Sequence, residues 1–111
     1  MKEEGDAGAR GEKYPCPLKG AIEIITKKWT CQIISLLGNY KSLRYTEILE
    51  ELEGISPRTL SYRLKELESA ALINRRSFNE IPPRVEYSLT GDGVELRELM
   101  KPIMEWATLR Q

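Results

Sequence analysis

The chain has 111 residues, with 17 basic and 17 acidic side chains and no histidine. That length suits one domain able to bury about two thirds of its unfolded surface, and 41% hydrophobic with 31% charged residues is an ordinary soluble composition. Without histidine there is no Ser-His-Asp or Cys-His catalysis, no imidazole metal ligand and no imidazole switch near neutrality.

Residues 1–13 are glycine and charge without an apolar period, which predicts a disordered N-terminal tail. The acidic opening Met1-Lys2-Glu3-Glu4-Gly5-Asp6 is not the basic-then-apolar run of a signal peptide. No apolar run approaches the ~18 residues of a spanning helix, so a cytoplasmic protein with no membrane association is expected. Residues 14–111 are then the folded domain. Leu18, Ala21, Ile22 and Ile25 recur at helical spacing and predict a first helix beginning beside Pro17. Trp29, Ile33, Leu36, Leu37 and Tyr40 mark a second, stopped near Gly38-Asn39. A brief extended segment at 41–43 leads to a third, whose stripe is Tyr45, Ile48, Leu49 and Leu52.

After the turn Glu53-Gly54-Ile55, Ser56-Pro57 is a helix start: a hydroxyl cap followed by proline at the first helical position. The fourth helix carries Leu60, Leu64, Leu67 and Ala71 on its apolar side. Two helices joined through a glycine-containing turn are the sequence form of a helix-turn-helix. Residues 72–78 and 84–89 are strand-like and flank Asn79-Glu80-Ile81-Pro82-Pro83, which predicts a hairpin over 72–89. Thr90-Gly91-Asp92-Gly93 caps a last helix running toward Arg110, with Pro102 predicted to kink it. The expected fold is mainly α with a small β-hairpin wing: a winged helix-turn-helix.

Opposite the leucine stripe, the fourth helix presents Arg58, Tyr62, Lys65 and Ser69, flanked by Ser61 and Thr59. Arg58 can pair with a guanine edge, Lys65 suits phosphate, and the hydroxyl side chains suit close approach to bases or sugars. An ordinary solvated face would carry similar residues, and a sequence pI of 6.4 lies far from that of a typical nucleic-acid binder. The charges are nevertheless segregated. Between Ser56 and Thr90 six basic residues stand against four acidic ones, whereas between Lys41 and Ile55 two stand against four. The predicted DNA contacts are Arg44, Ser56, Pro57, Arg58, Thr59, Ser61, Tyr62 and Lys65, with Arg75, Arg76 and Arg84 on the wing.

Cys16-Pro17, Lys28-Trp29-Thr30, Tyr45-Thr46-Glu47-Ile48, Gly54-Ile55-Ser56, Leu64-Lys65-Glu66-Leu67-Glu68 and the run from Pro82 to Thr90 resemble the HxlR-type winged helix regulators, related to MarR-like regulators. The resemblance covers Cys16 to about Trp106. It implies a homodimeric transcriptional regulator that binds palindromic operator DNA, with the recognition helix at 57–69 and the wing between Arg75 and Arg84. Lys27 stands where that family usually has glycine. Some members are thiol sensors through a cysteine at the position of Cys16. Here Cys16 precedes a helix N-terminus and has Lys19 close by, both favouring thiolate, while an inert packing cysteine is the plainer alternative. Cys31, within a central helix, reads as a small buried hydrophobe.

In the last helix Leu96, Leu99, Met100, Ile103, Met104, Trp106 and Ala107 cover about 160°, wider than the usual ~100° core-facing stripe. That excess predicts a homodimer contact through Leu99, Ile103 and Trp106, shared with Leu18, Ile22 and Ile25 of the first helix. A two-fold dimer would set two recognition helices about 34 Å apart. The expected partners are operator DNA, a second copy, and an oxidant or small-molecule effector; two cysteines and no histidine predict neither cofactor nor metal. A winged-helix protein-interaction module without DNA is the alternative. An enzyme with Cys16 as nucleophile would lack a general base, so no enzymatic activity is expected.

Overall fold

The computed structural model describes residues 21–110. The predicted tail, the start of the first helix, Cys16 and Leu18 lie outside the described residues. Eight elements follow in order: α1 (Ala21–Ile25), α2 (Thr30–Gly38), β1 (Leu43–Arg44), α3 (Tyr45–Glu51), α4 (Pro57–Ser69), β2 (Ile73–Phe78), β3 (Arg84–Leu89) and α5 (Gly91–Thr108). Among the described residues, five helices and one small antiparallel sheet make the mixed α+β winged architecture that the patterning predicts. Among the described residues no helix is long and apolar enough to cross a membrane.

The core is a single cluster in which each helix contributes the stripe its period requires. Ile33, Ile34 and Leu37 from α2, Ile48 from α3, Leu60, Leu64 and Leu67 from α4, Ile73 from β2 and Met100 from α5 are all buried. Full burial of one such side chain contributes about 1.5–3 kcal/mol, so the three leucines of α4 fix its roll on the core. The sheet order is β1-β3-β2. The hairpin register pairs Ile73 with Leu89 and Phe78 with Arg84. Leu43 and Arg44 add a third strand by pairing with Tyr87 and Glu86.

Three local readings are corrected. Trp29 is not inside α2; it caps that helix with a left-handed backbone, φ 80°, and its indole packs against the core. The next residue, Thr30, is fully buried, and its hydroxyl donates to the Ile24 carbonyl at 2.8 Å, tying the end of α1 to the start of α2. Tyr40 lies beyond α2, which ends at Gly38, and is exposed. Ala71 does not continue the leucine stripe of α4. It is exposed and left-handed, φ 62°, because the helix stops two residues earlier in a Schellman motif. There Leu72 N–H donates to the Leu67 carbonyl and Ala71 N–H to the Glu68 carbonyl, both at 3.0 Å.

That helix end is joined to the next helix start by one hydroxyl. Thr90 Oγ1 accepts from Gly93 N–H at 3.0 Å, capping α5, and donates to the Ala71 carbonyl at 2.7 Å. Gly93 packs so closely there that a Cβ would overlap the Leu72 carbonyl oxygen. Thr90 therefore locks the base of the wing to the C-terminus of α4. α5 then runs unbroken through Pro102, which supplies no N–H to the carbonyl one turn earlier.

Because an L-residue occupies a left-handed position that glycine adopts freely, Ala71→Gly should stabilise the fold by about 0.5–1 kcal/mol net of the extra unfolded-state entropy. Urea unfolding should show a higher midpoint with an unchanged slope.

Candidate nucleic-acid interface

The predicted reading face of α4 is assembled as a surface. Ser56 Oγ accepts from Thr59 N–H at 3.1 Å and donates to Thr59 Oγ1 at 2.9 Å. With Pro57 at the first helical position, these bonds fix the helix start. Burial of Leu60, Leu64 and Leu67 turns Arg58, Ser61, Tyr62, Lys65 and Ser69 outward, all exposed, with half-buried Thr59 on the flank. Tyr45, read from the sequence only as part of the α3 stripe, has a second role. Its hydroxyl donates to the Pro57 carbonyl at 2.8 Å and lies 3.1 Å from Ser61 Oγ. It joins the two helices of the helix-turn-helix at the start of α4 and orients Ser61.

Not every cation on this face is free. Arg63 is half-buried: its Nε donates to the Lys28 carbonyl at 2.9 Å and its Nη1 pairs with Glu66 Oε1 at 3.0 Å. Glu66 is also 2.6 Å from Lys27 Nζ. The hydrogen bond from Lys27, aided by the charges of Lys27 and Arg63, holds the Glu66 carboxyl below its ordinary value despite the opposing effect of burial. Arg58 and Lys65 have no carboxylate partner among the described residues.

The wing divides in the same way. Arg75 and Arg76 are both exposed on β2, but as strand neighbours they project from opposite faces. Arg75 Nη1 donates to Ser77 Oγ at 3.2 Å, and the Arg76 guanidinium sits 4.9 Å from the Phe78 ring centroid. Arg84 is engaged within the hairpin. It stacks on Phe78 at 4.0 Å, pairs through Nη2 with Glu80 Oε2 at 3.0 Å, and brings Nε to 3.5 Å from Glu86 Oε2. It braces the wing with its charge already matched. Arg44 is exposed at the β1–α3 junction, where its backbone N–H donates to Glu47 Oε1 at 2.7 Å. Arg44, Tyr45 and Thr46 face Pro83, Arg84 and Val85 across a shallow cleft between α3 and the wing.

The last helix carries a separate surface. Leu96, Met100 and Met104 turn toward the core, whereas Leu99, Ile103 and Trp106 are 67%, 69% and 58% exposed. Ile22 and Ile25 are half-buried on α1. Between α1–α2 and α5 runs an open groove lined by apolar side chains including Ile25, Trp29, Leu36 and Ile103. Cys31 also borders this groove. It is half-buried rather than fully buried, and burial pushes its thiol above the ordinary value, away from thiolate.

A profile described as HxlR-like helix-turn-helix matches residues 24–110, most of the described fold. The chain belongs to the HxlR-like helix-turn-helix family. Its relatives are described as HTH-type transcriptional regulators and not as enzymes. The uncharacterized HTH-type transcriptional regulator YvaP of Bacillus subtilis is 42% identical over 94 residues, spanning 84% of this chain and 86% of YvaP. A structure described as that of "a possible HxlR family transcriptional factor" from Thermoplasma volcanium superimposes with a TM-score of 0.77 at 30% identity, covering 86% of this chain and 84% of the other. The redox regulator HypR, in its oxidized form, superimposes with a TM-score of 0.78 at 28% identity over 86% of this chain and 98% of HypR.

Since the folded protein holds Glu66 ionised to lower pH than the unfolded chain does, this group stabilises the fold above the unfolded glutamate value of about 4.3. That contribution should fade as pH falls through the lower folded-state value. Glu66→Gln should flatten this part of the pH profile of the urea midpoint relative to wild type.

Proposed function

We propose that this HxlR-like regulator is a cytoplasmic protein that binds pseudo-palindromic operator DNA as a homodimer. In this reading α4 enters the major groove and the wing lies along the adjacent backbone or minor groove. The observation that carries it is the outward row Arg58, Ser61, Tyr62 and Lys65 on a helix whose other face is fully committed to the core. Among the described residues, Arg75 and Arg76 on the wing add one cation without a carboxylate partner to each face of β2, and Arg44 is exposed at the β1–α3 junction. Ser56, Pro57 and Thr59 fix the helix start and bring its positive dipole end toward phosphate. Arg84 enters this scheme through the wing it braces.

Operator titrations test the reading directly. Affinity should fall steeply with salt, and Lys65→Ala should reduce the magnitude of the log–log salt slope by about 0.9 if it neutralises one phosphate. Arg58→Ala should cost about 1–3 kcal/mol on operator and less on random duplex if it reads a base edge. Equal binding of promoter and random duplex at every salt would contradict the proposal and favour the protein-interaction module. Likeness to the redox regulator HypR supports a thiol-responsive switch, for which Cys16 is the candidate. An oxidant-induced change in operator affinity should disappear in Cys16→Ser; persistence of that change would assign the switch to another group or to a small-molecule effector.

The dimer rests on the outward apolar row Leu99, Ile103 and Trp106, extended by Leu109, which is 82% exposed. Leu99, Ile103 and Trp106 along one face of α5, with Leu109 just past its end, expose large apolar side chains of the kind that mark an association surface, and Trp106 is its natural anchor. Leu18, Ile22 and Ile25 would complete the contact from the first helix. Ile103→Glu should yield a monomer by light scattering, with folded-state circular dichroism retained and operator affinity lowered at least tenfold. A dimer that survives this charge would place the contact elsewhere.

A further inference from the structure

The turn between α1 and α2 reaches across to the reading helix through charged groups, and they converge on one exposed aromatic ring. Tyr62 is 59% exposed on α4. Glu66, four residues on, shares its face one helical turn away. Glu66 Oε2 holds Lys27 Nζ at 2.6 Å and its Oε1 holds Arg63 Nη1 at 3.0 Å. Both cations then flank the same phenol: Lys27 Nζ lies 5.9 Å and Arg63 Cζ 5.6 Å from the Tyr62 ring centroid, within the range of a cation–π contact. Arg63 is anchored further by its bond to the Lys28 carbonyl at 2.9 Å.

We propose that Lys27 is a positioning residue for DNA-sequence discrimination: with Glu66 and Arg63 it holds the Tyr62 ring in one orientation on the reading face. The inference rests on the DNA-binding reading above and deepens it by naming Tyr62 as the side chain whose fixed orientation favours the correct sequence. A free exposed phenol samples several rotamers, and binding must immobilise it. A ring already held against two anchored cations loses less freedom on meeting a base, while its hydroxyl stays available to donate and accept. Lys27 shares the Glu66 carboxylate with Arg63, so its ammonium is engaged within the protein and is not set out as a phosphate contact. Its influence should therefore fall on specificity and not on non-specific attraction.

The test compares wild type, Lys27→Met, Lys27→Arg, Tyr62→Ala and the Lys27→Met/Tyr62→Ala double variant on the promoter duplex and a random duplex across salt. Lys27→Met keeps most of the length of the side chain and removes its charge, and thermal melting verifies that each variant is folded. Lys27→Met should lower the promoter-to-random affinity ratio about 2- to 10-fold, the range expected for freeing one side chain. It should leave random-duplex affinity and the salt slope unchanged. Lys27→Arg should retain the ratio, and Lys27→Met should have no further effect once Tyr62 is alanine. An unchanged ratio would overturn the proposal. So would an equal loss on both duplexes with a shallower slope, which marks a phosphate contact, or a loss that persists without Tyr62. A wild-type ratio of one would defeat the DNA-binding reading itself, and this inference with it.

Discussion

The burial of Leu60, Leu64 and Leu67 is the constraint on which the rest of the surface depends. These three side chains, spaced by four and three residues, insert α4 into a core built from α2, α3, β2 and α5. Once they are buried, the helix has no rotational freedom, and the identity of its outward row follows from the sequence alone. Losing one of them would leave a cavity worth about 2–5 kcal/mol and loosen every residue on the opposite side. The Tyr45 hydroxyl at the helix start and the Schellman turn at its end fix the same helix along its axis. Thr90 carries that position onward to the wing.

Electrostatics then decides which cations face outward unmatched. Equal totals of acid and base describe the whole chain poorly, because several pairs are closed internally. Glu66 takes up Lys27 and Arg63, while Glu80 and Glu86 take up Arg84. Among the described residues, the outward cations on α4 without a carboxylate partner form a short row, Arg58 and Lys65, and Arg75 and Arg76 add one to each face of the wing strand β2. Few phosphates can be met by one such row. A two-fold pair of rows doubles the contacts and adds the requirement of half-site spacing, which gives the exposed face of α5 a place in the account.

Much of this was legible in the sequence, for identifiable reasons. Ser56-Pro57 and Thr90 are local signals whose partners lie three residues away, and the leucine stripe is a period that any buried helix must show. The hairpin strands are bounded to within one residue because Pro82-Pro83 and the branched residues on either side act locally too. The readings that needed correction depended on context. Ala71 occupies a position that glycine usually marks, so nothing in its identity announced the end of α4. Trp29 is a bulky residue with positive φ, held there by its packing and by the Thr30 bond to Ile24. The two residues of β1 are too short to have a period. The Lys27–Glu66 and Arg63–Lys28 contacts join residues 39 and 35 positions apart, a pairing that no window along the chain contains.

Hydroxyl-radical footprinting of the protein on the DNA upstream of its own coding sequence tests the central claim most directly. The account predicts two symmetry-related protected segments centred about one duplex turn, 10–10.5 base pairs, apart, or a multiple of it, with backbone protection beside each where the wing lies. Uniform weak protection, or a single protected segment without a symmetry mate, would contradict a dimer reading two half-sites through α4.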